Sequence, residues 1–461
     1  MSDAAEKAYI PQGENDAGSA YEGSQSHSNH VVRHQEPQYA QPTGLKGLYY
    51  KPTTQVVLLG FVCFMCPGLF NALNGLGGAG MLDAKTSANA NSALYSTFAF
   101  FAFFAGSVNN TIGAKNTLRL GSIGYGLYIG SYLAVNIHPN AWGFVIGAGA
   151  VLGMCAGLLW TAQGSLMLAY PTESEKGKFI GIFWSIFNLG GVVGAAVSLG
   201  QNFHSETNAG VFIPLIMADP NKMIRADGTK VTTPRHPSWK TEFKGLWIAL
   251  RTDPYIILLF PMFFASNWFY TWQFNDFNAA LFNIRARSLN NLVYWLAQIV
   301  GSVSIGFLLD QRSLSRRVRA FSGWIVLVIM VFAVHTWAYF YQKGYTRATV
   351  SARIDIYDSE YVGRIMFYIM CGLLDSMWQT CAYWLMGAMS NDPGKLAHFT
   401  GFSHCAYTHS TFISATLPQI YISYNKDKSL QSAAAAGIWR ADAVGVPTFS
   451  PPFFPWWLLA S

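Results

Sequence analysis

The sequence predicts an all-α protein that crosses a membrane many times, in two helical halves joined by a basic loop. Three observations carry this expectation. Charged residues make up 11% of the 461-residue chain, against 51% apolar and 15% aromatic. Soluble proteins carry about 25% charged residues, and a chain of this size so poor in charge would struggle to cover its own surface. Next, apolar runs of about 20 residues recur, the length a helix needs to cross the hydrocarbon core of a bilayer. Finally, one short pattern occurs twice: Ala105-Gly106-Ser-Val-Asn-Asn110 with Lys115 and Arg119 behind it, and Ile305-Gly306-Phe-Leu-Leu-Asp310-Gln-Arg312 with Arg316, Arg317 and Arg319 behind it. In both, a glycine at a helix end admits another backbone, a polar side chain sits four residues on, and cations follow. Internal repeats of this kind are how many transporters are built.

Residues 1–50 are polar, rich in Ser, Gln, Asn, His and Gly, and lack apolar periodicity. They read as a disordered tail and not as a signal peptide, because no apolar core follows a basic start. His27, His30 and His34 there are too loosely set to suggest a metal site. Spans are expected near Gln55–Leu76, Ala93–Val108, Leu118–Val135, Trp142–Leu168, Phe179–Leu199, Tyr255–Phe274, Leu289–Leu309, Ala320–Tyr341 and Val362–Met389. Helices are required, since open strands would leave backbone groups unpaired in lipid. Glycines within them, such as Gly121, Gly124, Gly147 and Gly153, let helices approach closely.

Lys and Arg set the orientation. With the tail in the cytoplasm, nineteen of them fall on the inner side and six on the outer, the bias that cytoplasmic loops show. The net charge of +7 therefore serves membrane orientation and does not point to nucleic acid. This scheme needs a sixth crossing between Gln201 and Asp219, where only Ala209–Ala218 is apolar. That run would cover about half the hydrocarbon core, so a shortened sixth helix is expected. The loop 219–253 ends in a segment that places Phe243, Leu246, Trp247 and Leu250 on one helical face, with Lys240, Lys244 and Arg251 at its edge. This is the pattern of a helix lying on the inner leaflet.

The repeated pattern resembles the Gly-x-x-x-Asp loop that major facilitator transporters carry once in each half. There the Asp latches two helices together; Asn110 in the first copy would make that latch a neutral hydrogen bond. The runs Leu259–Asp276, Phe282–Arg287, Asn71–Gly78, Phe183–Gly191 and Asp375-Ser-Met-Trp378-Gln379 narrow the resemblance to the Unc-ninety-three-like branch of that superfamily, fungal type. The resemblance covers about Lys51 to Phe402. It implies two six-helix halves, here 51–218 and 254–402, around the loop 219–253. It also implies either transport or the regulation and escort of channels and receptors, for which the branch is named. Beyond Phe402 the chain departs from the branch: Ser403–Lys428 intervenes before a run resembling the eleventh helix, and the end is short and rich in Pro. The region 403–461 is thus expected to be atypical, with the eleventh and twelfth helices disrupted. The alternative is that Leu396–Tyr424, free of Lys, Arg, Asp and Glu, is itself the eleventh helix.

No nucleotide loop, nucleophile elbow, zinc-protease or dinucleotide motif occurs, so neither an enzyme nor a bound cofactor is expected. The Cys63-x-x-Cys66 pair lies inside an apolar run and reads as two small buried side chains. Polar residues within spans are the informative groups, because each is costly in lipid and turns to a cavity or a partner. Asp375 leads, with Gln379 on the next turn. Asn71 and Asn74, Trp160 and Gln163, Asn188, and Asn267 and Thr271 complete the candidate cavity set. Gly106, Asn110, Gly306, Asp310 and Arg312 form the candidate gating loops. Two functions fit: a carrier of a small solute, coupled to protons through Asp375, or an accessory protein that holds a membrane partner. The lipid bilayer is the surrounding in either case.

Overall fold

The computed structural model describes residues 43–75, 84–138, 140–204, 225, 228–229, 238–270, 272–345, 350 and 352–426. A short helix, α1 (Gly44–Tyr49), precedes α2 (Pro52–Cys63), which opens with a proline where the missing N–H would be unpaired anyway. α2 runs through a π turn at Phe64–Gly68, holding Pro67, into α3 (Leu69–Gly75). Then come α4 (Ala84–Ile112), α5 (Ala114–Ile137), α6 (Trp142–Ala169) and α7 (Lys176–His204). Between α4 and α5 the chain turns at Gly113 with φ 81°, a left-handed conformation that glycine adopts without strain.

The second part begins with α8 (Trp239–Thr252), which Ser238 caps by accepting from the Thr241 N–H. A bend of 74° separates it from α9 (Pro254–Leu258) and α10 (Phe260–Ala265). A turn and a π-helical stretch, Trp272–Ala279, lead to α11 (Ile284–Leu309). α12 (Arg316–Gln342), α13 (Tyr361–Met389) and α14 (Pro393–Lys426) follow. Asn283 and Ser315 cap α11 and α12 as Ser238 caps α8.

Within each part the packing is the same. α4 lies against α6, and α11 against α13. Two seams join the parts: α4 against α14, and α7 against α11. Counting α2–α3 and α9–α10 as the first crossing of each half, both seams set the second crossing of one half against the fifth of the other. The repeat seen in the sequence is thus a repeat in packing. Small residues make the seams close: a Cβ on Gly106 would lie 2.7 Å from the Ala397 carbonyl oxygen, and one on Gly306 would lie 3.0 Å from that of Gly177.

Five helical stretches among the described residues are long and apolar enough to cross a membrane on their own: Pro52–Ala72, Trp142–Ala169, Glu173–Gly200, Ile284–Leu309 and Arg316–Gln342. α4, α13 and α14 are as long but more polar, because they turn Asn110, Asp375 and Thr400 inward, where all three are buried. The molecule is a multi-pass integral membrane protein.

Several expectations need correction. The eleventh helix is not disrupted: α14 continues unbroken through Ser403 to Lys426, with Ser403, His404, Thr408 and Thr411 buried. Its freedom from charge over Leu396–Tyr424 is what permits this. Residues 427–461, where the twelfth helix was doubted, and the short sixth run Ala209–Ala218 lie outside the described residues. The expected span Tyr255–Phe274 is broken after Leu258 and again after Ala265, and Pro261 removes an N–H at the first break. On α8 the exposure of Phe243 and Trp247, with Glu242 and Leu246 buried, needs no such correction, since it leaves the expected interfacial face open. α4 starts at Ala84, nine residues before the expected Ala93.

Gly106→Val should lower the thermal midpoint of the detergent-solubilised protein, since overpacking against fixed backbone costs about 1–3 kcal/mol. Gly130→Val, where a Cβ would meet nothing within 4 Å, should leave the midpoint within error. Equal effects would mean that the seam is not close-packed.

Candidate functional site

Between the halves lies a cavity of about 90 Å³. Its wall is mostly aromatic, with Trp160, Trp184, Tyr383 and Tyr407 among the rings, and four amides: Asn71, Asn267, Gln298 and Gln379. Trp160 is central. It stacks on His404 at 5.8 Å between centroids and 30° between planes, and meets Phe187 edge-on at 5.3 Å. Among the described residues, no Lys, Arg, Asp or Glu forms the wall. Asn267 reaches it because it sits in the break after α10, where the backbone leaves helical geometry. Irregular backbone at membrane depth is tolerated where it lines a cavity.

Asp375, on α13, is fully buried directly behind this wall. Its Oδ2 accepts from the Tyr270 hydroxyl at 2.8 Å and from Gln298 Nε2 at 2.6 Å. The Tyr294 hydroxyl lies 3.1 Å from the same oxygen and 2.9 Å from Gln273 Oε1, with one proton to share between them. Oδ1 has no hydrogen-bond partner. One turn on, Gln379 Nε2 donates to Asn267 Oδ1 at 2.6 Å. A second network crosses the halves. His404 Nδ1 is 2.5 Å from the Thr400 carbonyl, so it carries the proton, and Nε2 accepts from the Tyr383 hydroxyl at 3.2 Å. That hydroxyl is also 3.5 Å from Gln163 Oε1 on α6.

Side chains bond the halves together on either side of the cavity. On the side bearing α8, Asp310 caps the first turn of α7, accepting from Gly177 N–H at 2.8 Å and Lys178 N–H at 2.5 Å. A carboxylate there also meets the positive end of the helix dipole. Beside it, buried Lys176 donates to the carbonyls of Gly387 and Ser390 at the C-terminal end of α13, and to Asn391 Oδ1 at 2.7 Å. In the other copy, Asn110 Nδ2 donates to the Gly394 carbonyl at the start of α14, at 3.2 Å, and to Glu242 Oε2 at 3.0 Å. His398 Nε2 is 3.4 Å from the same carboxylate. The first latch is therefore not a purely neutral one: α8 supplies the carboxylate that the loop lacks. At the opposite end, Asn278 Nδ2 donates to the Gly75 carbonyl at 3.1 Å and Asn291 Nδ2 to that of Ala72 at 2.9 Å.

Of the residues expected from sequence, Asn71, Trp160, Asn267 and Gln379 line the cavity, and Asp375 and Gln163 bond to residues of its wall. Asn74 stands outside the wall. Asn188 is buried with neither side-chain atom partnered, and also outside it. Thr271 lies outside the described residues. Gly106, Asn110, Gly306 and Asp310 all sit at the seams, whereas Arg312 is exposed. Sequence reasoning missed Tyr270, Tyr294, Gln298, Lys176 and Glu242. A signal existed for Glu242, the one acidic residue on the amphipathic segment Trp239–Thr252. The tyrosines gave none, because a buried Tyr and a packing Tyr look alike in sequence.

The two latches predict a pH dependence. Burial holds the Glu242 carboxyl above its ordinary range, with the Asn110 amide pulling the other way. Burial likewise raises Asp310, partly offset by the Lys178 and Gly177 amides. Once water reaches these groups they revert to ordinary values, so the closed form binds protons more tightly than the open one. The contribution of these two carboxyls to closure should therefore grow as pH falls from the raised values to the ordinary carboxyl range, and fade above them, with buried His398 beside Glu242 opposing it. Distances between spin labels on α7 and α11 should report it, and Glu242→Gln should flatten the dependence. A distance distribution that opens on acidification would contradict it.

Residues 56–415 match the family model of the Major Facilitator Superfamily. An UNC93-like protein of Schizosaccharomyces pombe is 41% identical over 418 residues, spanning 87% of this chain and 78% of its own. UNC93-like protein 1 of Arabidopsis thaliana is 36% identical over 432 residues, spanning 89% and 88%. Among solved structures, the E. coli fucose:proton symporter FucP matches with a TM-score of 0.53 at 9% identity, over 83% of this chain and 94% of its own, a likeness of fold alone. The chain belongs to the Major Facilitator Superfamily, in its UNC93-like branch.

Proposed function

We propose that this protein carries a small solute across a membrane by alternating access, with protons coupled through Asp375. The halves 51–218 and 254–402 rock about the cavity between them, and the side bearing α8 and the basic loop 219–253 faces the cytoplasm. α8 lies along the inner leaflet with Trp239, Phe243 and Trp247 towards lipid, all of them exposed. The observation that carries the reading is Asp375: a buried carboxyl whose Oδ2 is held by donors while Oδ1 has none. An unpaired charge in that position is costly, so the bare oxygen is the place for a proton or a cation. Tyr270 and Gln298 connect it to the cavity wall, where a bound solute alters its surroundings.

The latches supply the other requirement. Each includes a few hydrogen bonds between halves, and since interhelical bonds in membranes are worth about 0.6 kcal/mol on average, the polar part of each latch can break and re-form in turn. The protein works by binding and conformational exchange and forms no covalent intermediate.

Purified protein in liposomes, offered a defined mixture of small solutes under an inward proton gradient, should accumulate at least one of them. A proton ionophore should abolish accumulation, as should Asp375→Asn, which keeps shape and hydrogen-bonding capacity but holds no exchangeable charge. Gradient-driven accumulation that persists in Asp375→Asn would remove the proton role. No accumulation of any solute by the unaltered protein would favour a non-transporting accessory role.

A further inference from the structure

We propose that the central cavity is a site for a single planar ring bearing a positive charge, such as a protonated aromatic or heteroaromatic amine. This rests on the transport reading for its biological meaning, but not for its chemistry, which the wall itself sets. Size comes first. At about 90 Å³ the cavity is smaller than the roughly 150 Å³ that holds benzene in an engineered protein core. With side-chain adjustment it takes one ring, and it excludes a fused polycycle from the closed form.

Shape comes next. Trp160 stacks on His404 with 30° between the planes, so only their remaining faces are open to the cavity, and Trp184 and Phe187 close the adjacent side edge-on to Trp160 at 6.3 and 5.3 Å. A flat solute stacks on such faces, whereas a puckered sugar or an aliphatic ring leaves gaps among them.

Charge decides the rest. The described residues of the wall include no ammonium or guanidinium to balance an anion, and His404 is neutral in the tautomer its partners select. Among the described residues, the only carboxyl bonded to the wall is Asp375, one hydrogen bond behind Tyr270 and Gln298. Because those two donate towards Asp375, they leave the phenol oxygen and Gln298 Oε1 to accept from a solute. The faces of Trp160 and Trp184 add a cation–π attraction of about 0.5–2 kcal/mol. The Trp184 indole N–H is buried and without a partner, and the amides and tyrosine hydroxyls of the wall both donate and accept. A cationic ring meets the carboxyl and the indole faces together; an anionic ring finds no cation in the described wall and faces the carboxyl behind it.

Four probes of similar size separate the terms: 4-aminopyridine (planar cation), aniline (planar and neutral), benzoate (planar anion) and cyclohexylamine (non-planar cation). Binding is measured by calorimetry at neutral pH on the full-length chain in nanodiscs. The expected order is 4-aminopyridine first, aniline and cyclohexylamine about tenfold weaker each, and benzoate undetectable. Asp375→Asn should remove the preference for 4-aminopyridine over aniline. Trp160→Leu should weaken both aromatic probes more than cyclohexylamine, whose remaining binding also shows that the variant is folded. Benzoate binding as well as 4-aminopyridine, or cyclohexylamine binding as well, would overturn the proposal. Saturable 4-aminopyridine binding without uptake into liposomes would uphold the site and defeat the transport reading. Proton-driven uptake of some other solute with no binding of any aromatic probe would do the reverse.

Discussion

Where the halves of this protein meet, helix ends are held by side chains from the other half, and the closed form depends on this. Asp310 satisfies the first N–H groups of α7, which would otherwise be unpaired at a buried helix start. Lys176, at that same start, satisfies the last carbonyls of α13. Each group answers an obligation that an isolated half could not meet. Glycines make the contacts reachable, since the Gly306 and Gly177 backbones come close enough that a single Cβ would intrude. Parting the halves therefore exposes these helix ends as well as the close-packed seams, so the capping bonds add a polar cost at each end of the seam.

The two latches solve one problem with different residues. At α7 the carboxylate belongs to the helix-end loop itself. At α14 the loop offers Asn110, and Glu242 arrives from the helix that joins the halves. Its carboxylate lies within reach of both Asn110 and His398, so the position of α8 is tied to whether this latch is shut. A connecting helix that would otherwise only span the gap thereby becomes part of the gate. The ion pair between Lys395 and Asp253, at the two ends of the same corner, reinforces that tie.

Inside, the irregular seventh crossing and the polar α13 face one another. The break after α10 turns Asn267 to Gln379, and the π-helical stretch brings Gln273 to Tyr294. Regular helices would have hidden these groups behind their own side chains. Burial of Asp375 is supportable because three donors, from the seventh crossing and from α11, converge on one oxygen; the remaining oxygen stays bare, which a purely structural carboxylate would not require.

Much of this was legible in the chain. Composition and run length determine a multi-spanning helical protein, because lipid leaves no other way to pair the backbone. The doubled Gly-x-x-x-Asp/Asn pattern marks both latches, and Asp375 stands out because an ionisable group within a span is rare. The sequence could not show which side chains converge on Asp375. Tyr270, Tyr294 and Gln298 lie 77 to 105 residues away along the chain, and only helix packing brings them together. Nor could it show that Ser403–Lys426 continues the eleventh helix. Local pattern there departed from the related chains, while the groove between α4 and α6 accepts an uncharged helix whose small and hydroxyl residues fit it. Helix existence is a local property set by hydrophobic length. Pairing between helices is decided by shape and by unsatisfied polar groups, which exist only once the halves have come together.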